Sequence, residues 1–400
     1  MYDARTPSLH DNSSTAGNFF GKNPAARIAT GGLGAAGISS ADMLAADSLD
    51  ATAAGSPMPG LNPTLRIDPR DDAPESVSRR RVAFALIGMA LAGLGVSQRD
   101  AFAAGGLPVK LTSGGPGSAE TLASALFKAL PDLTQGLDID WVGGDPGQVQ
   151  TLLLSGAVQS SAYGALGAAE AQLKGNDIVI FGPKISNHGA WLVRGDSPFQ
   201  HPRDLKGKRI ATLPQTSDTY RQARMAAALH GLDLRKDFEV IHGAPIANLA
   251  LFNRGDVDAI IAIEPTASRI IGNGAREIAN VAAQWKEATG DSAPLFLVGN
   301  GGRRDWVEGN KPTAKRVADA FLAVNGLIRK DPELAARYHK AIGIPDTETA
   351  AIKLLPDRLA RIFVPTWGDA EFANIDRQLA EAVKLGLLAK KPDRPVYTRV

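Results

Sequence analysis

Leu152-Leu153-Leu154-Ser155-Gly156-Ala157-Val158-Gln159 and Leu251-Phe252-Asn253-Arg254-Gly255-Asp256-Val257-Asp258 align without a gap. Each reads as a helix end, a glycine where a left-handed cap is needed, and the start of a strand. The first continues through Ser160 to Tyr163 and the second through Ala259 to Ile263. One helix-to-strand step used twice predicts two lobes of like construction. Glycine caps are common enough that chance similarity is the competing explanation.

Working outward, strand and helix patterns alternate. Residues 108–113 read as a strand, Gly114-Gly115-Pro116-Gly117 as a turn and 119–130 as a helix, followed by a strand over 138–142 and a helix over 147–154. Further strands are expected at 178–181 and 190–193. Pro198, His201-Pro202 and Gly207 then break the pattern before a fresh strand at 209–213 and a helix at 220–229. A strand at 294–298 is followed by mostly helical patterns, including 312–329 and 332–342. The expectation is an α/β fold of two lobes, each a mainly parallel sheet flanked by helices. Its boundaries are 104–194 for the first part of lobe I, 195–290 for lobe II and 291–400 for a return to lobe I with C-terminal helices. Hinges are expected near 194–198 and 286–294.

The first 75 residues are rich in Ala, Gly, Ser, Pro and Asp and show no sustained period, so they read as a disordered extension or a mis-assigned start. Gly32-Leu33-Gly34-Ala35-Ala36-Gly37 has the spacing of a dinucleotide fingerprint but no preceding strand. Residues 76–103 read as a signal peptide: Arg79-Arg80-Arg81, an apolar run over 82–96, and Ala101-Phe102-Ala103 as a cleavage site. The run is short of the roughly 20 residues a spanning helix needs. An exported, periplasmic protein is expected, with the general secretory and twin-arginine routes both open.

Lysine plus arginine number 44 against 42 aspartate plus glutamate. With no basic stripe, nucleic acid is not expected as a partner. Cysteine is absent, which excludes disulfides, thiolate metal sites and a cysteine nucleophile. Neither GxSxG nor HExxH occurs, so no catalytic residues, metal ligands or cofactors are assigned.

Leu205-Lys206-Gly207-Lys208-Arg209-Ile210, the 251–258 segment and Ala259-Ile260-Ile261-Ala262-Ile263-Glu264-Pro265 together resemble the solute-binding proteins of nitrate, sulfonate and taurine-type ABC importers. The resemblance covers most of the chain from residue 107 onward. It implies the two-lobed periplasmic-binding-protein fold of type II, two crossovers, a ligand in the cleft, and an ABC permease and ATPase as partners of a monomer. A periplasmic sensor serving a membrane receptor is the alternative. A pyrimidine-precursor binding protein or enzyme on the same fold is the other, although the cysteine-rich motif of the enzyme is missing.

Ligands of parallel α/β sheets lie beyond the carboxyl ends of strands, where helix N-termini present unpaired amides. That rule selects Ser113, Gly114 and Gly115 at the first junction, Tyr163 at a strand end, and Asn187 and His188 between two strands. It also selects Gln215, Thr216, Ser217 and Asp218 before the helix at 220–229, and Glu264 after the strand at 258–263. No arginine occupies these positions, so an organic anion such as a sulfonate is expected to be held by amides and hydroxyls. Asp145, Asp218 and Glu264 leave an amine or zwitterion open.

Overall fold

The computed structural model describes residues 106–400. The expectations for residues 1–75 and for the signal peptide lie outside the described residues. Among the described residues ten strands form a two-stranded and a three-stranded sheet, which a bridge between Leu111 and Ser160 joins into one layer, and a five-stranded sheet. Strands β1 (Leu107–Gly114), β2 (Leu137–Gly144), β3 (Ser161–Tyr163) and β4 (Ile178–Ser186) build the first, with β10 (Phe296–Arg303) inserted between β3 and β4. β1 and β2 are parallel, β10 is antiparallel to both its neighbours, and Thr112 N to Ser160 O (3.1 Å) joins β1 to the segment entering β3. The order is therefore β2-β1-β3-β10-β4.

The second sheet repeats this plan. It contains β5 (Ala190–Val193), β6 (Arg209–Thr212), β7 (Glu239–His242), β8 (Ala259–Ala262) and β9 (Arg276–Asn280) in the order β7-β6-β8-β5-β9. β6 is parallel to β7 and β8, and β5 is the antiparallel insert. In each sheet the antiparallel insert is the first strand after the chain passes over from the other lobe: β5 opens lobe II, and β10 returns the chain to lobe I.

The aligned sequence segments occupy equivalent places. Helix α1 (Glu120–Ala129) follows β1, and α2 (Gln148–Leu154) connects β2 to β3. Helix α3 (Ala165–Leu173) follows β3; in lobe II, α4 (Asp218–Leu229) follows β6 and α5 (Pro245–Arg254) connects β7 to β8. Gly156 and Gly255 have φ of 77° and 82°, a conformation in which a Cβ would be strained. The bonds Ala157 N to Leu152 O and Asp256 N to Leu251 O, both 3.0 Å, close the same terminal turn.

One boundary moves. The expected first hinge at 194–198 lies inside lobe II, because all four residues of β5 pair with β8 and β9. The crossover is the short segment between β4 and β5, containing Asn187, His188 and Gly189. A short apolar run does not show which sheet it joins. The second crossover lies between α7 (Val281–Thr289) and β10, inside and just beyond the expected 286–294.

Helices α6 (Thr266–Gly272), α8 (Arg304–Gly309), α9 (Lys311–Lys330), α10 (Glu333–Arg337), α11 (Thr349–Leu359) and α12 (Asp369–Lys384) complete the chain. Ala314, Val317, Phe321, Val324 and Ile328 recur at helical spacing and form the buried face of α9, which packs on β4. The last residues shield the outer side of β4 through Ile180 N to Val396 O and Thr398 N to Ile180 O, both 2.8 Å. The C-terminal helices do not return to lobe I alone: α11 packs against α6 of lobe II, and Arg269 of α6 forms a bidentate pair with Glu348 at 2.6 and 2.7 Å.

Candidate functional site

The carboxyl ends of β4, β8 and β9 meet the two crossovers around a cavity of about 460 Å³, bordered by Ser186, Asn187, His188, Glu264, Glu277, Pro294 and Arg358. Both lobes, both crossovers and α11 contribute. Arg358 Nε donates to Glu264 Oε1 at 2.6 Å and Arg358 Nη2 to Glu277 Oε2 at 2.9 Å. The second oxygen of Glu264 accepts from Ser268 Oγ at 2.6 Å and Ser268 N at 3.2 Å. Glu264 is 1% exposed, so its charge is tolerable only because these partners satisfy it. Burial opposes the charge on Arg358, but Glu264 and Glu277 outweigh it and raise the pKa above the ordinary arginine value.

Nearer lobe I the cleft narrows to a gap of about 30 Å³, bordered by Ser118, Glu120, Gln150, His188, Asp218 and Thr219 among others. Asp218, the first residue of α4, reaches out of lobe II into the N-terminus of α3 in lobe I. Its Oδ2 accepts from Gly164 N at 2.7 Å and Gln150 Nε2 at 2.5 Å, and its Oδ1 from Gly167 N at 2.8 Å. Helix α3 has no side-chain cap of its own; a carboxylate from the opposite lobe takes that place and meets the positive end of the helix dipole. Gly167 is required there, since a Cβ would stand 2.7 Å from Asp218 Oδ1. Burial pushes the Asp218 pKa up, against the lowering effects of Arg221 and the two amides. Further ties across the cleft are Arg221 Nη2 to Glu170 Oε2 (2.9 Å) and Thr266 Oγ1 to Gly117 O (3.2 Å), so the two lobes are bonded directly to each other.

His188 borders both spaces. Its Nδ1 lies 2.9 Å from Ser186 O. A carbonyl only accepts, so Nδ1 carries the proton and, in the neutral ring, Nε2 is a bare acceptor. Burial lowers the pKa of the ring and favours that neutral form. Nε2 is buried without a hydrogen-bond partner, as is Gln150 Oε1.

The residues expected at the site have several fates. Asn187 and His188 border the large cavity, with Asn187 fixing the crossover through Nδ2 to Gln222 Oε1 (2.7 Å) and by accepting from Gly189 N (2.8 Å). Glu264 borders it too, held by Arg358. Asp218 borders the narrow gap, as the interlobe tie just described. Ser113, Gly114 and Gly115 border neither space; Thr121 Oγ1 donates to the carbonyls of Gly114 and Gly115, and Ser118 and Glu120 come forward instead. Tyr163 is packing: it is 2% exposed in the core, and burial, reinforced by Asp218, raises its pKa. Ser217 is the N-cap of α4, accepting from Tyr220 N at 3.2 Å and donating to Pro214 O at 2.7 Å. Gln215 bonds His242 at 3.1 Å, and with Thr216 it borders a separate cavity beside Glu170 and Arg221.

Sequence reasoning missed Arg358 and Gln150. Arg358 lies on α11, far along the chain from any strand-end loop, so a reading confined to those loops, where no arginine occurs, did not reach it. Gln150 sits one turn into α2, where nothing local separates a surface glutamine from one turned into a cleft.

Two sheets of one plan and two crossovers, with polar spaces at the strand ends, define a two-lobed α/β fold. The NMT1/THI5-like family model matches residues 134–300, and the chain shares the fold of solved sulfonate-binding proteins. The alkanesulfonate-binding protein SsuA from Xanthomonas axonopodis pv. citri, bound to MOPS, is 21% identical, with a TM-score of 0.59 over 74% of this chain and 100% of that one. The periplasmic aliphatic sulphonate binding protein SsuA from Escherichia coli is also 21% identical, with a TM-score of 0.54 over 73% and 93%. A ligand-binding component of an ABC-type import system from Staphylococcus aureus is 11% identical, with a TM-score of 0.55 over 73% and 97%. No curated protein sequence matches the chain.

Proposed function

We propose that this protein is the exported substrate-binding component of an ABC importer, capturing a small organic acid between its lobes and presenting it to a membrane permease driven by an ATPase. The observation that carries this reading is the cavity at the crossovers, where both lobes and both connections border one polar space. Its volume of about 460 Å³ favours an organic molecule over nitrate, since about 10–15 Å³ of this measure suffices for one water. The binding of MOPS, itself an organic sulfonate, by the Xanthomonas protein of the same fold agrees with that class. Arg358 and Arg361 border the cavity, with Arg358 paired to Glu264 and Glu277, which border it too. No chemistry on the solute is invoked; the binding free energy serves to close the lobes.

The test is a thermal-shift screen of small sulfonates, carboxylates and their amino derivatives, followed by small-angle scattering with any compound that binds. Saturation at roughly 100 times Kd should stabilise the closed form by about 2.7 kcal/mol. A stabilising compound should also reduce the radius of gyration of the open population. If no compound in these classes shifts the melting temperature, this reading fails.

A further inference from the structure

A third space lies outside the cleft and shares no bordering residue with either of the two described above. It measures about 170 Å³ and is enclosed by α3 of lobe I, the stretch of lobe II from Gln215 to Arg235, and the turn after α12. Leu166, Leu387 and Leu388 give it an apolar wall. Lys174, Arg224 and Arg235 border it as well, and none of their side chains has a hydrogen-bond or ion-pair partner among the described residues. Arg221 is committed: its Nε and Nη2 donate to Glu170 Oε2 at 3.1 and 2.9 Å, so the one carboxylate bordering the space is already matched. Asp233 and Asp237 border a neighbouring space, where Lys236 and Lys206 lie 3.8 and 3.2 Å from them. A surplus of three positive charges therefore surrounds one cavity. Tyr220 is an independent observation. It borders the same space, is 1% exposed, and its hydroxyl is buried without a hydrogen-bond partner. Its ring is held edge-on against His242, with centroids 4.9 Å apart, and the neighbouring cations cannot accept its proton.

Three unpaired cations around one space repel one another; an anion entering it removes that repulsion and is attracted to each. Arg224 and Arg235 can each grip a carboxylate or phosphate edge with two hydrogen bonds, and the Tyr220 hydroxyl needs an acceptor of the same kind. A single negative charge leaves most of the surplus unmatched. Size and the leucine wall narrow the choice further. At about 10–15 Å³ for one water, the space takes roughly ten water-sized groups, enough for a short carbon skeleton with its oxygens. Such a skeleton meets the apolar wall, as a bare inorganic ion does not. We propose that this space is a second binding site, for a small organic molecule carrying two or three negative charges as carboxylates or as a phosphate ester. The molecule touches α3 of lobe I and α4 of lobe II together, so its binding favours the arrangement in which these two helices lie side by side. The site is independent of what the cleft takes.

The experiment is calorimetric titration of the full chain with citrate and with glycerol phosphate, each against acetate at the same ionic strength. At least one of the two should bind tenfold or more tightly than acetate, and which one does so identifies the preferred oxyanion. Arg224→Gln and Arg235→Gln, which break no bond within the protein, should each weaken that binding by about tenfold or more, and Tyr220→Phe by roughly three- to tenfold. Lys236→Gln removes the same charge one residue from Arg235, from a side chain that is 84% exposed, and should change the affinity by less than about twofold. If Tyr220→Phe does not fold, the arginine variants decide. Any of three results overturns the second site: neither polyanion binds more tightly than acetate, Tyr220→Phe binds as tightly as wild type, or the arginine variants lose no more than Lys236→Gln, as diffuse attraction to a basic surface would give. A compound that binds these variants and the wild type alike is held elsewhere, so failure here leaves the reading of the cleft untouched.

Discussion

Replacing Asp218 by alanine should unfasten the lobes. The carboxylate accepts three hydrogen bonds from lobe I, from Gly164 N, Gly167 N and Gln150 Nε2. Removing it leaves three buried donors unpaired. At the lower end of the cost for such groups, about 1 kcal/mol each as water enters the vacated space, the loss is about 3 kcal/mol. Burial raises the pKa of Asp218, so the charge itself is disfavoured there, and its removal returns part of that loss. A net destabilisation of about 2–3 kcal/mol follows, or roughly 3–5 °C in Tm for a domain of this size. Urea denaturation measures the first quantity and calorimetry the second. Small-angle scattering of the folded variant should show a larger radius of gyration than the wild type. A variant within about 0.5 kcal/mol of wild type, with the same scattering profile, would show that the three bonds are not what holds the lobes together.

Other perturbations test neighbouring parts of the argument. Gly167→Ala places a Cβ against both Asp218 oxygens, so it should destabilise the wild type; in the Asp218→Ala background the same change should be neutral or stabilising by up to about 1 kcal/mol, as expected of alanine over glycine in a helix. A double-mutant cycle showing no coupling would refute the contact. Arg358→Ala should cost about 2–4 kcal/mol, below the full range for a broken buried pair because Arg358 is partly exposed; adding Glu264→Gln should recover part of the loss, and no recovery would mean that the charge of Glu264 is not the cause. His188, whose pKa is lowered by burial, binds its proton less readily folded than unfolded. Stability therefore falls as the pH drops through the unfolded value of about 6.5 toward the folded one. Between pH 7.5 and 5.5 the wild type should lose more stability than His188→Asn; parallel profiles would contradict this, since His201, also lowered, is common to both.

The repeated helix-to-strand step was legible because its signal is local: a glycine with positive φ and the same terminal turn at Gly156 and Gly255. Two lobes followed from it. What joins them was not legible. β5 is four apolar residues, buried throughout, and such a run carries no mark of the sheet it completes. Asn187, His188, Asp218 and Glu264, selected by the strand-end rule, border the two spaces, but their hydrogen-bonding partners were not legible. An aspartate opening a helix reads as a cap for its own helix, and here Ser217 has that task while Asp218 crosses to α3. Arg358 approaches from a helix whose sequence position gives no hint of the cleft, and its two carboxylate partners are ninety-four and eighty-one residues away. Contacts of that range are set by packing of the whole chain, which no local pattern encodes.

The central claim, that the lobes close on a small solute, can be measured directly because the chain has no cysteine. Lys128→Cys on α1 of lobe I and Lys236→Cys in lobe II replace two exposed lysines, and dyes attached there report the distance between lobes by single-molecule energy transfer. Open and closed populations should exchange, with the small-molecule fraction of the source cells, or a solute identified by the thermal-shift screen, driving the molecules to the shorter distance. A single distance that neither that fraction nor any bound solute moves would contradict it.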